Sequence, residues 1–255
     1  MYYLVECLII RNENQYLLEH LQHGVQAGIE HFFIYDNLSD KPVSNFLKGT
    51  EYEDKCTVEI WQNTDQNQLD CYAHFLKEHR QDAKWCAFID TDEMLEGSLA
   101  KLCRENERYL SLKIRQIVHG CNGQAYADYS KSLTDRFQAD IAKMQMLKLV
   151  VQLQYLDKQY PHHSYIDQDR ANGIPLSRWL KVIEWNEECQ LHHYFYKSFE
   201  EWLVKMKRGN VWAHDRGWKL KMFFNDNTID DKDKNELLGK YGLTMETAMS
   251  YGTER

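Results

Sequence analysis

Residues 85–95 read Trp85-Cys86-Ala87-Phe88-Ile89-Asp90-Thr91-Asp92-Glu93-Met94-Leu95. Five apolar residues break abruptly on an acidic turn. A continuous apolar run without polar alternation is what a strand buried on both faces requires. Its end at Asp90 delivers an Asp-x-Asp pair into a loop, and an extended chain puts residues 90 and 92 on the same side. In open α/β sheets, ligands bind beyond the carboxyl ends of the strands. Two carboxylates placed there suit a hard divalent cation, Mn²⁺ or Mg²⁺, with phosphate oxygens completing its shell. The plainer reading is a capping Asp90 followed by a solvated acidic turn.

Upstream of this stretch, strand and helix patterns alternate. Tyr3 to Ile10 is β-rich, and Leu17, Leu18, Leu21 and Val25 then fall on one helical face that Gly28 is placed to end. His31 to Tyr35 is a second apolar strand running into Asp36-Asn37, and Pro42 opens a short helix. Cys56 to Trp61 is a third strand, followed by a helix with Leu69, Tyr72, Ala73 and Leu76 on its inner face. Such β-α-β repetition predicts a parallel sheet covered on both faces. Downstream, Leu110 to Val118, Leu147 to Tyr155 and Cys189 to Tyr196 read as strands. Ser198-Phe199-Glu200-Glu201 is a capping box for a helix that Gly209 closes, and a last helix covers Asp233 to Tyr241. The class expected is α/β passing into α+β.

Composition excludes more than it identifies. Over 255 residues, 43% hydrophobic and 27% charged side chains argue against disorder. A net charge of −8 argues against a nucleic-acid partner, which needs clustered cations. The start, MYYLVECLIIRNENQ, has neither the basic region nor the cleavage site of a secretory signal. The seven Cys form no Cys-x-x-Cys pair and sit mostly in apolar runs. A reduced, cytoplasmic setting is therefore expected. One stretch departs from the acidic balance. Lys205 to Lys221 carries six Lys or Arg against the single Asp215, with Trp212, Trp218 and Phe223 interleaved. It reads as a site for a diphosphate, as a peripheral contact of residues 205–223 with the anionic inner face of a membrane, or as a solvated basic face beside core aromatics.

Two metal–phosphate chemistries compete for the Asp-x-Asp turn. An aspartate-nucleophile phosphatase wants Thr or Val where Met94 stands, and wants the motif on the first strand rather than the fourth. A nucleotide-sugar transferase fits better, with the cation offsetting the charge of a leaving diphosphate. A phosphohydrolase and a non-catalytic nucleotide- or glycan-binding module remain the alternatives.

The segments CLIIRNENQYLLEHLQHGVQAGIEHFFIYDNLSD and WCAFIDTDEML resemble the bacterial branch of glycosyltransferase family 92, once grouped as a domain of unknown function. The resemblance continues in order through roughly residues 4–210. His119-Gly120-Cys121-Asn122-Gly123 is similar to an aromatic-Gly-Ser-x-Gly turn, with His in place of the aromatic. Asp135-Arg136-Phe137 resembles a Glu-Arg-Phe element, and Lys148-Leu149-Val150 a Lys-x-Ile/Val strand. Tyr160-Pro161-His162-His163 lies where the family keeps a His. His193-Tyr194, Lys197-Ser198-x-Glu200-Glu201 and Arg208-Gly209 resemble the closing signature.

The resemblance implies a GT-A fold, a Rossmann-like mixed sheet with helices on both faces, over residues 1–210. Residues 211–255 would form a short α-rich extension packed on it. It also implies a nucleotide-diphosphate sugar donor, a glycan or lipid-linked glycan acceptor, and inversion at the anomeric carbon. Carried over by position, Asn12, Glu13 and Asp36 would line the nucleoside pocket. Asp90 would face the ribose or the metal, and Asp92 would be the main ligand of Mn²⁺ or Mg²⁺. His193 is the candidate late ligand; its plainer reading is a strand histidine packed against Trp185 or Tyr196. His192 faces the opposite side of the strand, so one of the two should reach the site. The base that activates the acceptor stays unassigned among Asp128, Asp157, His163 and Asp167.

Overall fold

A computed structural model describes residues 1–62, 67–138, 146–184, 188–208 and 216–246, the last two without the side chains of 207, 208 and 216–219. The chain divides into two compact units, residues 1–117 with 145–193 and residues 118–144 with 194–255. The boundary expected after residue 210 lies outside the described residues, as do Trp185, Gly209, Trp212 and the rest of residues 209–215 in the basic stretch.

The first unit opens with the predicted alternation. The order is β1 (Tyr2–Ile10), α1 (Asn14–Ala27), β2 (His31–Asp36), α2 (Val43–Leu47), β3 (Cys56–Ile60), α3 (Asn67–His79) and β4 (Ala83–Ala87). After the acidic turn come β5 (Glu93–Gly97), α4 (Leu99–Glu105) and β6 (Ser111–Val118). These are followed by β7 (Leu147–Gln152), β8 (Leu156–Tyr160), β9 (His163–Ile166), β10 (Lys181–Ile183) and β11 (Cys189–His193). The large sheet runs β3-β2-β1-β4-β7-β6-β11-β5, with β10 on β6. The β3-β2-β1-β4 half is parallel, whereas β7 joins β4 and β6 antiparallel and β11 joins β5 antiparallel. The sheet is thus mixed, as the α/β expectation holds, and β8 and β9 form a separate hairpin.

Alternation along β1 builds a core on each face. Leu4, Leu8 and Ile10 pack with Leu17 and Leu21 of α1 and with Val43 and Leu47 of α2. Val5 and Cys7 pack with Cys71, Tyr72 and Phe75 of α3. Two helix faces differ from the periodicity reading. Leu18 is exposed and His20 is turned inward, while in α3 Ala73 is exposed and Cys71 and Phe75 take the inner face. Strand β5 ends the sheet, and α1 covers its open side. His20 Nδ1 lies 3.0 Å from the Glu93 carbonyl oxygen and His23 Nδ1 2.9 Å from that of Leu95. These contacts satisfy edge carbonyls that would otherwise invite another strand. Gly97 is obligatory at the end of β5, since its φ is +86° and a Cβ would stand 2.1 Å from the Glu188 carbonyl oxygen.

The second unit holds α5 (Leu133–Arg136), α6 (Phe199–Arg208), α7 (Arg216–Asp226) and α8 (Asp231–Lys240), the last three contributing to one cluster that includes Phe199, Trp202, Phe223 and Leu237. The capping box is present: Ser198 Oγ accepts from Glu201 N at 3.3 Å and Ser198 N donates to Glu201 Oε2 at 3.0 Å. Phe223, read with the basic stretch, is fully buried in that cluster, and the Lys205 ammonium lies 4.8 Å from the Phe195 ring centre. Among the described residues no helix is long and apolar enough to cross a membrane.

Candidate donor and metal site

The parallel register brings the predicted polar clusters to one end of the sheet. Ile10 pairs with Asp36, and Asp36 with Ile60, so β1, β2 and β3 end level. The loops beyond them are tied together by their own side chains. Asn12, with φ +55°, adopts the left-handed conformation that Asn tolerates. Its Oδ1 accepts from Asp40 N at 2.8 Å, and its Nδ2 donates to Asp40 Oδ2 at 3.2 Å. Asp36 is buried and accepts from Ser39 N and Val43 N, both at 2.9 Å, so its two oxygens shape the loop. Glu13 Oε2 accepts from Thr91 Oγ1 at 2.5 Å, which ties the end of β1 to the acidic turn.

At the turn itself, two carboxylates share one buried ammonium. Lys148, on β7, is 1% exposed, and its Nζ lies 2.7 Å from Asp90 Oδ2 and 3.3 Å from Glu93 Oε2. One cation can neutralise only one of them. Asp90, the more exposed, takes the charge: burial raises its carboxyl, but the charge and hydrogen bond of Lys148, with His193 nearby, together hold it below the ordinary range. Glu93 is fully buried, and burial pushes its carboxyl up to about 8 against the pull of Lys148. It also meets Asp90 N at 2.8 Å, Gln116 Nε2 at 2.6 Å and, at 3.5 Å, His193 Nδ1.

The β11–β5 register pairs His193 with Glu93 and sends His193 inward, while His192 faces Glu96 at 3.1 Å. Only one histidine therefore reaches the site, as strand alternation predicts. His193 is buried with Nε2 3.6 Å from Asp92 Oδ1 and Nδ1 3.3 Å from Gln116 Oε1. With the Gln116 amide donating to Glu93, its oxygen accepts from His193 Nδ1–H. Nε2 is then the ring nitrogen turned toward Asp92, the one a metal shared with Asp92 would use. An imidazole nitrogen and a carboxylate oxygen converging this way fit Mn²⁺ or Mg²⁺ chemistry. Among the described residues no group of three His, Cys, Asp or Glu side chains is gathered closely enough to enclose an ion. The arrangement is an open pair, not a closed protein cage.

Sequence reasoning missed a second buried pair behind the turn. Glu6 and His20 are both essentially unexposed, with Glu6 Oε1 2.5 Å from His20 Nε2. Burial raises the Glu6 carboxyl against the pull of His20; His20 is raised in turn because Glu6 outweighs the effect of its own burial. The signal was available, because a charge inside the buried run of β1 requires a partner. Of the candidate bases, Asp128 and Asp167 accept backbone amides of their own turns, and His163 stacks on Tyr160. None is thereby selected.

The raised groups carry a pH signature. Between about pH 4.5 and 8, native Glu93 keeps a proton that the unfolded chain releases. Its contribution is full below the ordinary glutamate range and is lost as pH rises through about 8. Glu93→Gln removes this contribution, so unfolding free energy should fall less steeply from about pH 5 to 8 than in the wild type. Urea unfolding across that range checks it; identical slopes in the two proteins would contradict a protonated, buried Glu93.

The family model of glycosyltransferase family 92 matches residues 3–207, most of the chain. The chain belongs to glycosyltransferase family 92. Family 92 relatives include a rice (Oryza sativa subsp. japonica) protein, Os08g0121900, 22% identical over 91% of this chain and 39% of its own length. A castor bean (Ricinus communis) family 92 protein, RCOM_0530710, is 27% identical over 91% of this chain and 41% of its own. The chain thus spans about two fifths of the curated family 92 relatives it matches. Among solved structures, S. aureus TarS 1–349 is 12% identical with a TM-score of 0.46, covering 94% of this chain and 70% of that one. The same TarS segment has been solved in complex with UDP-GlcNAc, at a TM-score of 0.43. The segments that resemble family 92 motifs fall in both units: Lys148 and His193 lie in the first, Arg136 and Glu201 in the second.

Proposed function

We propose that this family 92 chain transfers a sugar from a nucleotide-diphosphate donor to a glycan or lipid-linked glycan acceptor, with a divalent cation and inversion at the anomeric carbon. The observation that carries the reading is the convergence of Asp92 and His193 Nε2 beside Asp90, at the carboxyl ends of the strands. Asp92 and His193 would hold Mn²⁺ or Mg²⁺, with Asp90 facing the ribose or sharing the ion. When bound, the ion supplies positive charge against the leaving diphosphate. The chain's own groups do the rest. Gln116 orients the His193 ring, Lys148 holds Asp90 ionised, and Glu93 stays neutral so that the turn is not overloaded with negative charge. The loops braced by Asn12, Glu13 and Asp36 frame the nucleoside. An inverting displacement also requires a group that takes the acceptor's proton.

A thermal-shift screen of UDP-, GDP-, dTDP- and CMP-sugars, each with and without Mn²⁺, tests this. At least one nucleotide sugar should raise the melting temperature in a Mn²⁺-dependent way. Phosphate release from simple esters without such a shift would instead support a phosphohydrolase. Binding of the donor with neither hydrolysis nor transfer would support a non-catalytic module.

A further inference from the structure

The β8–β9 hairpin shows its surroundings two different faces. Leu156 and Ile166 point inward to the core beneath α3, and Gln159 is buried with its Oε1 accepting from Ser164 Oγ at 2.6 Å. The outer face carries a ladder of rings. Tyr160 and His163, cross-strand partners, stack at 4.5 Å and 9°. Tyr165 sits on the same face, 5.4 Å from Tyr160 and 5.5 Å from His163, and is 52% exposed. One stacked cross-strand pair is enough to brace a two-stranded ribbon. A third ring, whose cross-strand partner is Lys158, leaves apolar surface in water that the hairpin does not need.

The position of the ladder ties it to the donor site. At the hairpin's turn, His162 Nδ1 lies 3.1 Å from the Leu147 carbonyl oxygen. Leu147 precedes Lys148, which holds Asp90, and His162 is within electrostatic reach of both Lys148 and Asp90. The ladder therefore begins beside the turn where the transfer is proposed to occur.

We infer that the outer face of the β8–β9 hairpin, formed by Tyr160, His163 and Tyr165, is the acceptor platform, on which a neutral pyranose ring of the glycan stacks. This rests on the transfer reading above. A pyranose pairs an apolar C–H face with a rim of hydroxyls. Tyr and His rings answer with π faces ringed by a phenol oxygen or ring nitrogens, while Lys158 adds a donor at the edge. Leu, Ile or Phe in these places would instead suit a purely apolar partner. The stacking fixes the plane of the acceptor ring.

Saturation-transfer NMR and calorimetry with β-1,4-galactotetraose, cellotetraose and chitotetraose test the platform. Wild type, Tyr165→Ala, His163→Ala and Tyr165→Phe are compared, with the melting temperature and the nucleotide-sugar shift measured on each. The wild type should bind at least one tetrasaccharide, with saturation reaching the ring C–H protons. Tyr165→Ala and His163→Ala should weaken it by about tenfold or more, and Tyr165→Phe by no more than about threefold. The nucleotide-sugar shift should be unchanged in all variants. Unaltered binding in Tyr165→Ala would overturn the platform, and so would absence of binding by all three probes while a nucleotide sugar still stabilises the protein. If no nucleotide sugar stabilises it either, the transfer reading fails first and the platform falls with it.

Discussion

Lys148→Met is expected to destabilise the protein by about 3 kcal/mol at neutral pH, read by urea unfolding. The Lys148 ammonium is buried to 1% exposure, with Asp90 and Glu93 both within 3.3 Å. Its removal leaves two carboxyls apposed in a site with little water. Breaking a buried ion pair by deleting one partner commonly costs about 3–5 kcal/mol, because the other charge is left uncompensated. The lower end applies because Asp90 is about a third exposed and Glu93 can hold a proton. The cost should therefore shrink as pH is lowered toward the ordinary carboxylate range, where both acids become neutral. A loss below about 1 kcal/mol, or one independent of pH, would show that Lys148 does not neutralise the turn.

Arg136→Met should cost about 3–5 kcal/mol within the second unit. Arg136 and Glu201 are 2% and 6% exposed. The guanidinium engages both carboxylate oxygens, through Nη1 at 3.2 Å and a shorter contact through Nη2. Glu201 also receives the Ser198 amide and, at 2.6 Å, the Ser198 hydroxyl at the start of α6. Without Arg136, a buried carboxylate remains at a helix N-terminus without its guanidinium counter-charge. Glu201→Gln keeps the shape and lowers the charge demand, so its cost should be smaller than that of Arg136→Met. Circular dichroism during urea unfolding checks both, and equal, small losses would contradict the pair's importance.

These two sites also show what the sequence could and could not convey. Strand existence was legible, because buried parallel strands write themselves as apolar runs such as His31 to Tyr35 and Trp85 to Ile89. Strand direction was not: β7 carries the same kind of apolar run as β4 but enters antiparallel. The Asp-x-Asp turn was legible because a buried strand rarely ends on two carboxylates without cause. Its partners were less so. Lys148 was visible as part of a motif, but only the β4–β7 pairing shows that its ammonium reaches Asp90. Arg136 and Glu201 were noted 65 residues apart in two separate motifs, and the fold joins them as an ion pair. Asp36 illustrates the opposite difficulty. An Asp after a strand reads equally as ligand binder or loop brace, and here both its oxygens meet backbone amides. Glu6 and His20 went unread because helical periodicity favoured Leu18 over His20 for the inner face of α1.

Asp92, with His193, is proposed to bind a nucleotide diphosphate through a divalent cation. Calorimetry of UDP, GDP, dTDP and CDP binding, with Mn²⁺ and with chelator, on the wild type and Asp92→Asn tests it most directly. Asp92 is buried beside His193, and Asn nearly preserves its volume, so the fold should be retained. Mn²⁺-dependent binding of at least one nucleotide is expected in the wild type and its loss in Asp92→Asn, with the melting temperature nearly unchanged. Equal, Mn²⁺-dependent affinity in the two proteins would contradict it.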